Sequence, residues 1–151
     1  METKKRMHAT ACALATALIL GLAACRAAPT DPAELAPRLR SAGRVEFEVF
    51  RAGGDAYPVV VVDDPATLGE LADALDFDGP ARHRGPGDLA TTVAADLRID
   101  AGRSDEQVLL LRADLVWYGP DHAFEVELTS DALYRRLREL VGDPWEAPRD
   151  G

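Results

Sequence analysis

Arg82-His83-Arg84 places three nitrogen-bearing side chains in a row inside a stretch rich in glycine and proline. Donors that close together suit a phosphate or carboxylate, although such a stretch is also where solvated side chains are simply tolerated. A second group gathers at Trp117, Tyr118 and His122, around the turn signal Gly119-Pro120-Asp121. Amphipathic rings at a hairpin tip are the composition of a protein-contact surface. The competing arrangement puts Trp117 in the core with Tyr118 over its edge.

Other candidate chemistry is thinner. His122 has no Cys, and no His four residues on, so two distant histidines do not make a zinc site by spacing. Asp63-Asp64 resembles a carboxylate pair for metal or acid/base work, but Asp64 stands where a helix needs a cap and Asp63 has no companion in sequence. Gly53-Gly54-Asp55 lacks the spacing of a phosphate loop, and no calcium-loop pattern occurs. Ser41, Ser104 and Ser130 fall in a tether, a turn and a cap, none in a nucleophile elbow. The expectation is a non-enzyme with no metal and no cofactor.

The elements that must position these residues follow from hydrophobic period. Val45, Phe47 and Val49 alternate with Glu46 and Glu48, a half-buried strand. A hairpin turn over 52–56 leads to a β-branched strand at 57–62, which Pro58 assigns to an edge or to a start after it. Asp64-Pro65 opens a helix with Leu68, Leu71, Ala72 and Leu75 on one face, ending near 75–77. Residues 78–88, with Gly79-Pro80 and Gly85-Pro86-Gly87, read as an exposed loop.

Alternation resumes through Val93, Ala95, Leu97 and Ile99, turns over 101–106, and returns as 107–113, apolar on both sides and so central. Residues 115–118 continue that strand through a bulge or form a separate short one. Residues 123–128 alternate again, with Glu125 and Glu127 outward. Thr129 or Ser130 caps a last helix whose stripe is Leu133, Leu137, Leu140 and Val141. The predicted fold is α+β, a small antiparallel sheet of four to five strands with two helices on one face, in the order β-β-α-β-β-(β)-β-α. If the first and last strands adjoin, Glu46, Glu48, Glu125 and Glu127 crowd together and invite a basic partner or cation.

The amino-terminal segment carries a different kind of signal. Lys4, Lys5 and Arg6 precede an apolar run, 9–24, that makes roughly 24 Å of helix against a hydrocarbon layer of roughly 30 Å. Leu22-Ala23-Ala24-Cys25 resembles the lipobox of bacterial lipoproteins. That resemblance, confined to the first 25 residues, implies cleavage before Cys25 and acylation of its thiol, a durable bilayer anchor. Arg26 is not the Asp of an inner-membrane retention signal, which leaves the outer membrane open as destination.

The chain then divides into a signal at 1–24, a lipidated Cys25 and flexible tether over 25–43 with room for one helical turn around 34–39, one domain at 44–141 and a short tail at 142–151. Past residue 24 stand 14 arginines, no lysine and 25 acidic side chains, a formal charge of −11 that repels phosphate backbones and argues against nucleic acid. With Cys12 removed and Cys25 acylated, no thiol is left for a disulfide, redox or metal role. The functional expectation is a lipid-anchored protein of the bacterial cell envelope whose domain binds an envelope protein or peptide. The alternative is a small-ligand carrier with a pocket between sheet and helices, lined by Phe47, Val93, Leu110 and Phe124.

Overall fold

Among the described residues every strand pairs antiparallel, and seven of them form one open sheet. The computed structural model describes residues 31–52, 54–84 and 93–143. In chain order these give α1 (Leu35–Arg40), β1 (Val45–Val49), β2 (Val60–Val62), α2 (Pro65–Ala74), β3 (Phe77–His83), β4 (Ala95–Ile99), β5 (Gln107–Arg112), β6 (Leu115–Tyr118), β7 (Phe124–Leu128) and α3 (Ala132–Leu140). The sheet order is β2-β1-β4-β5-β6-β7-β3, so β2 and β3 are its two edges.

Period-two alternation fixes which way each strand faces. The register sets Val49, Ala95, Leu111, Val116 and Val126 across one row and Phe47, Leu97 and Leu109 across the next, all buried. Leu35 and Leu39 of α1, Leu68 and Leu71 of α2, and Leu133 and Leu137 of α3 join these side chains in a single core. The three helices therefore share the inner face of the sheet. Glu46, Arg98, Leu110, Trp117, Glu125 and Arg82 alternate onto the outer face.

Sheet and helices are both larger than their expected four to five strands and two helices. Residues 25–43 were expected as a tether with at most one helical turn around 34–39; from Pro32 the chain forms a 3-10 turn and then α1, whose Leu35 and Leu39 are fully buried. Asp31 caps the turn by accepting from the Ala33 amide, and Pro37 is tolerated because it falls in the first turn of α1, where amides have no helical partner. Arg38, also buried, donates to the Asp105 carbonyl oxygen in the turn between β4 and β5.

The loop expected over 78–88 is likewise corrected across its first part, where β3 pairs with β7. Asp78 opposes Glu127 and Arg82 opposes Glu125, so three residues of β3 bulge against one of β7. Pro80 lacks a donor, which only an edge strand tolerates. Where Tyr57 was expected to start the second strand, β2 spans Val60–Val62 alone. The 115–118 segment is a strand of its own, joined to β5 by the turn at Ala113 and Asp114.

Helix α2 follows its sequence signals closely. Asp64 accepts from the amides of Ala66 and Thr67, each at 3.1 Å, and its carboxyl is held below the ordinary carboxylate value first by the Thr67 side chain and then by these amides. Arg136 of α3 reaches across to Glu70 of α2 at 2.6 Å and back to Glu139 at 2.9 Å. That bridge lies at the surface and contributes at most about 1 kcal/mol.

Candidate functional site

Strand β6 turns Val116 and Tyr118 toward the helices and Trp117 toward the outer face. Neither ring is exposed: Trp117 retains 4% of its surface and Tyr118 none. The expected contact pair is thus split between opposite faces of the sheet, and Tyr118 is the core residue rather than the edge cover. Burial first, then the charge of Asp31, pushes the Tyr118 phenol up to about 12. Its ring stacks on Phe124 with centroids 5.6 Å apart, and Phe124 in turn meets His83 at 4.8 Å.

The turn leading out of β6 is constrained by that stack. Gly119 has φ of +79°, and a Cβ there would stand 2.7 Å from the Phe124 ring. Asp121 and His122 both take φ of +52°, and the His122 carbonyl accepts from Arg84 Nε at 3.0 Å. The His122 Nδ1 is buried and has no hydrogen-bond partner among the described residues. Burial, followed by the Arg84 charge, holds this imidazole below its ordinary value and so neutral. Asp121 pulls in the opposite direction, more weakly.

Arg82, His83 and Arg84 do not converge. Arg82 extends over the outer face to Glu127 at 2.9 Å, with Glu125 at 3.9 Å, so two carboxylates already occupy its charge. His83 lies against Phe124 with the rings tilted by 46°, and Arg84 is engaged with the His122 backbone. The structure provides no three-donor anion cradle here. Glu46 and Glu48 are likewise kept from Glu125 and Glu127, because β4, β5 and β6 lie between β1 and β7. Glu46 is held by Arg44 at 2.5 Å.

A pocket between sheet and helices would need Phe47 and Leu110 on one wall, yet the register puts Phe47 on the inner face and Leu110, paired with Trp117, on the outer. The open grooves lie elsewhere. One of about 220 Å³ is lined by Asp78, Pro80, Arg82 and Glu127, and one of about 360 Å³ by Ala36, Pro37, Arg40 and Ser41. Among the described residues no three His, Cys, Asp or Glu side chains gather to hold a metal, and no helix is long and apolar enough to cross a membrane. Cys25 lies outside the described residues.

No protein-family model matches the chain, and neither does any curated protein or solved structure. The geometry alone directs attention to a feature that the chemistry-bearing residues did not mark. Val59 and Val61 are 55% and 47% exposed, the large apolar side chains left uncovered among the described residues, and they stand together at the β2 edge.

Hydrogen-bond parity determines what that edge offers. The Val49 carbonyl accepts from Tyr57, on the β2 side, whereas Phe50 donates to Ala94 and Arg44 accepts from Asp100, both on the β4 side. Val45 and Phe47 therefore point their backbone groups at Val62 and Val60, while the Glu46–Val61 pair is the non-bonded one. Val61 is left with its N–H and C=O directed away from the sheet. The sequence signal for this was Pro58 ahead of a valine run, which marked an edge but not which of its residues would be bare.

Proposed function

We propose that the chain is exported, acylated at Cys25 and held at the bacterial cell envelope, where its folded domain binds a protein or peptide without catalysis. The anchor reading rests on Lys4, Lys5 and Arg6, the apolar run and Leu22-Ala23-Ala24-Cys25. The binding reading is carried by one observation: side chains from three helices and the sheet join in one core, and the large apolar side chains left exposed among the described residues stand at one open sheet edge. A carrier would need its ligand space inside, and Phe47 and Leu110 face opposite ways.

Palmitate labelling, with Cys25→Ser as control, tests the anchor. Wild type should take up label and stay with membranes, and Cys25→Ser should lose both; equal membrane retention by the two would overturn it. Crosslinking in native envelopes tests the binding reading. A discrete set of adducts is expected, and a chain that crosslinks to nothing would overturn it.

A further inference from the structure

We propose that the β2 edge receives an extended, lysine- or arginine-bearing peptide segment of a partner protein as an added strand of the sheet. This rests on the peptide-binding reading above and gives it a place, a mode and a chemistry. Strand addition needs an edge whose backbone groups are unspent and whose flanking side chains leave room. Val61 meets the first condition, since its outward N–H and C=O have no backbone partner among the described residues, and the exposed Val59 and Val61 side chains offer apolar contact beside them.

The two edges of the sheet differ in this respect. β3 is blunted by Pro80, by positive φ at Gly79, by its bulge against β7 and by Arg82 folded over Glu127. β2 has none of these devices within Val60–Val62, with Pro58 lying before it. Protection at one edge and bare apolar residues at the other is what a sheet requires if pairing is wanted on one side only.

Charge selects the occupant. Asp55 and Asp63 flank the β2 segment, and Glu48 lies on the strand behind it; the side chains of all three lack an ion-pair or hydrogen-bond partner among the described residues. The nearby cations are committed, Arg44 to Glu46, Arg98 to Asp96 and Arg51 to the Tyr57 ring at 4.0 Å. A cationic strand would satisfy those carboxylates. A second copy of this chain would instead bring a second Asp55, Asp63 and Asp64 to the same edge, where like charges repel.

The test uses the full chain in detergent micelles, labelled with nitrogen-15 at valine, and two capped octapeptides of alternating valine and threonine, one ended by lysines and the other by glutamates. The lysine-ended peptide should slow exchange of the Val61 amide at least about tenfold, while Val60 and Val62, already bonded to β1, change little. Joint Asp55→Asn and Asp63→Asn substitution should weaken binding about 3- to 10-fold. Val61→Pro removes the outward donor without breaking a bond to β1 and should abolish binding; the charge variants carry the test if that variant does not fold.

Unchanged Val61 exchange at millimolar peptide would overturn the proposal, as would equal affinity for the glutamate-ended peptide. Val61 protection that rises with protein concentration alone, alongside a dimer mass, would assign the edge to a second copy and overturn it too. Envelope crosslinking separates the two levels. Adducts undiminished in Val61→Pro remove this edge while leaving partner binding intact, whereas a wild-type chain that forms none removes both.

Discussion

The buried guanidinium of Arg38 donates to the carbonyl oxygen of Asp105, tying α1 to the turn between β4 and β5 across 67 residues of sequence. A side-chain carboxylate of the same residue, Asp105, stands 3.8 Å away. A charge taken into a helix–sheet junction must be answered there, and this carbonyl and carboxylate answer it. Replacing Arg38 by Met should cost about 1–3 kcal/mol, less than for a fully buried pair because Asp105 is a third exposed. Urea denaturation would measure it, and a change within experimental error would show the contact to be idle.

Leu35 and Leu39 have no exposed surface, which makes α1 part of the domain's core rather than of a leader to it. Leu39→Ala should destabilise by about 2–5 kcal/mol, the range for a buried leucine whose cavity does not collapse. A residue in a tether would give less than about 0.5 kcal/mol. The midpoint of chemical unfolding distinguishes these outcomes directly.

Gly119 is held at positive φ with Phe124 in the space a side chain would need. Gly119→Ala should therefore lose more stability than Gly79→Ala, where φ is also positive but nothing lies within 4 Å. The second substitution should cost about 1 kcal/mol and the first about 2 kcal/mol or more. Thermal unfolding of the two variants side by side would reveal the difference; equal losses would mean that Phe124 moves aside freely.

His122 predicts a pH dependence with a definite sign. Its folded value lies below the ordinary 6.5, with burial as the main cause, so the unfolded chain binds the proton more readily. The stability this imidazole contributes is fully present above about pH 6.5 and is lost as pH falls from there toward the folded value. Groups around it add to the effect, since Arg84 opposes protonation while Asp121 favours it more weakly. Denaturation at pH 7.5 and 5 should show a loss for wild type that His122→Asn reduces, Asn being tolerant of positive φ. Identical losses in both proteins would assign the dependence to other groups.

Some of this architecture was legible in the residues and some was not. Asp64-Pro65 with leucines at 68, 71 and 75 announced α2, because a cap, a proline and a stripe all agree. The strands β1 and β4 were equally plain, their alternation matching burial along each, as was β7 from Val126 onward. β3 escaped notice since Gly79 and Pro80 erase the period, and its pairing with β7 depends on a bulge within β3 itself. α1 showed only as room for one turn around 34–39, too short for a stripe, and its two leucines gain meaning only once a sheet is there to receive them.

The candidate site was harder still. Neighbouring Trp117 and Tyr118 look equivalent in a string of letters, but one step along a strand separates the two faces of a sheet. Strand order, which keeps Glu46 and Glu48 away from Glu125 and Glu127, depends on pairings made over long separations that local pattern does not encode.

The nearness of the buried helix α1 to Cys25 along the chain has a consequence for reach. Cys25 and Pro32 are separated by six residues, and even a fully drawn-out backbone covers at most about 25 Å between them. A protein fastened to lipid at that cysteine would graze the headgroups, sampling partners that lie close to its own leaflet and leaving those across the compartment out of range.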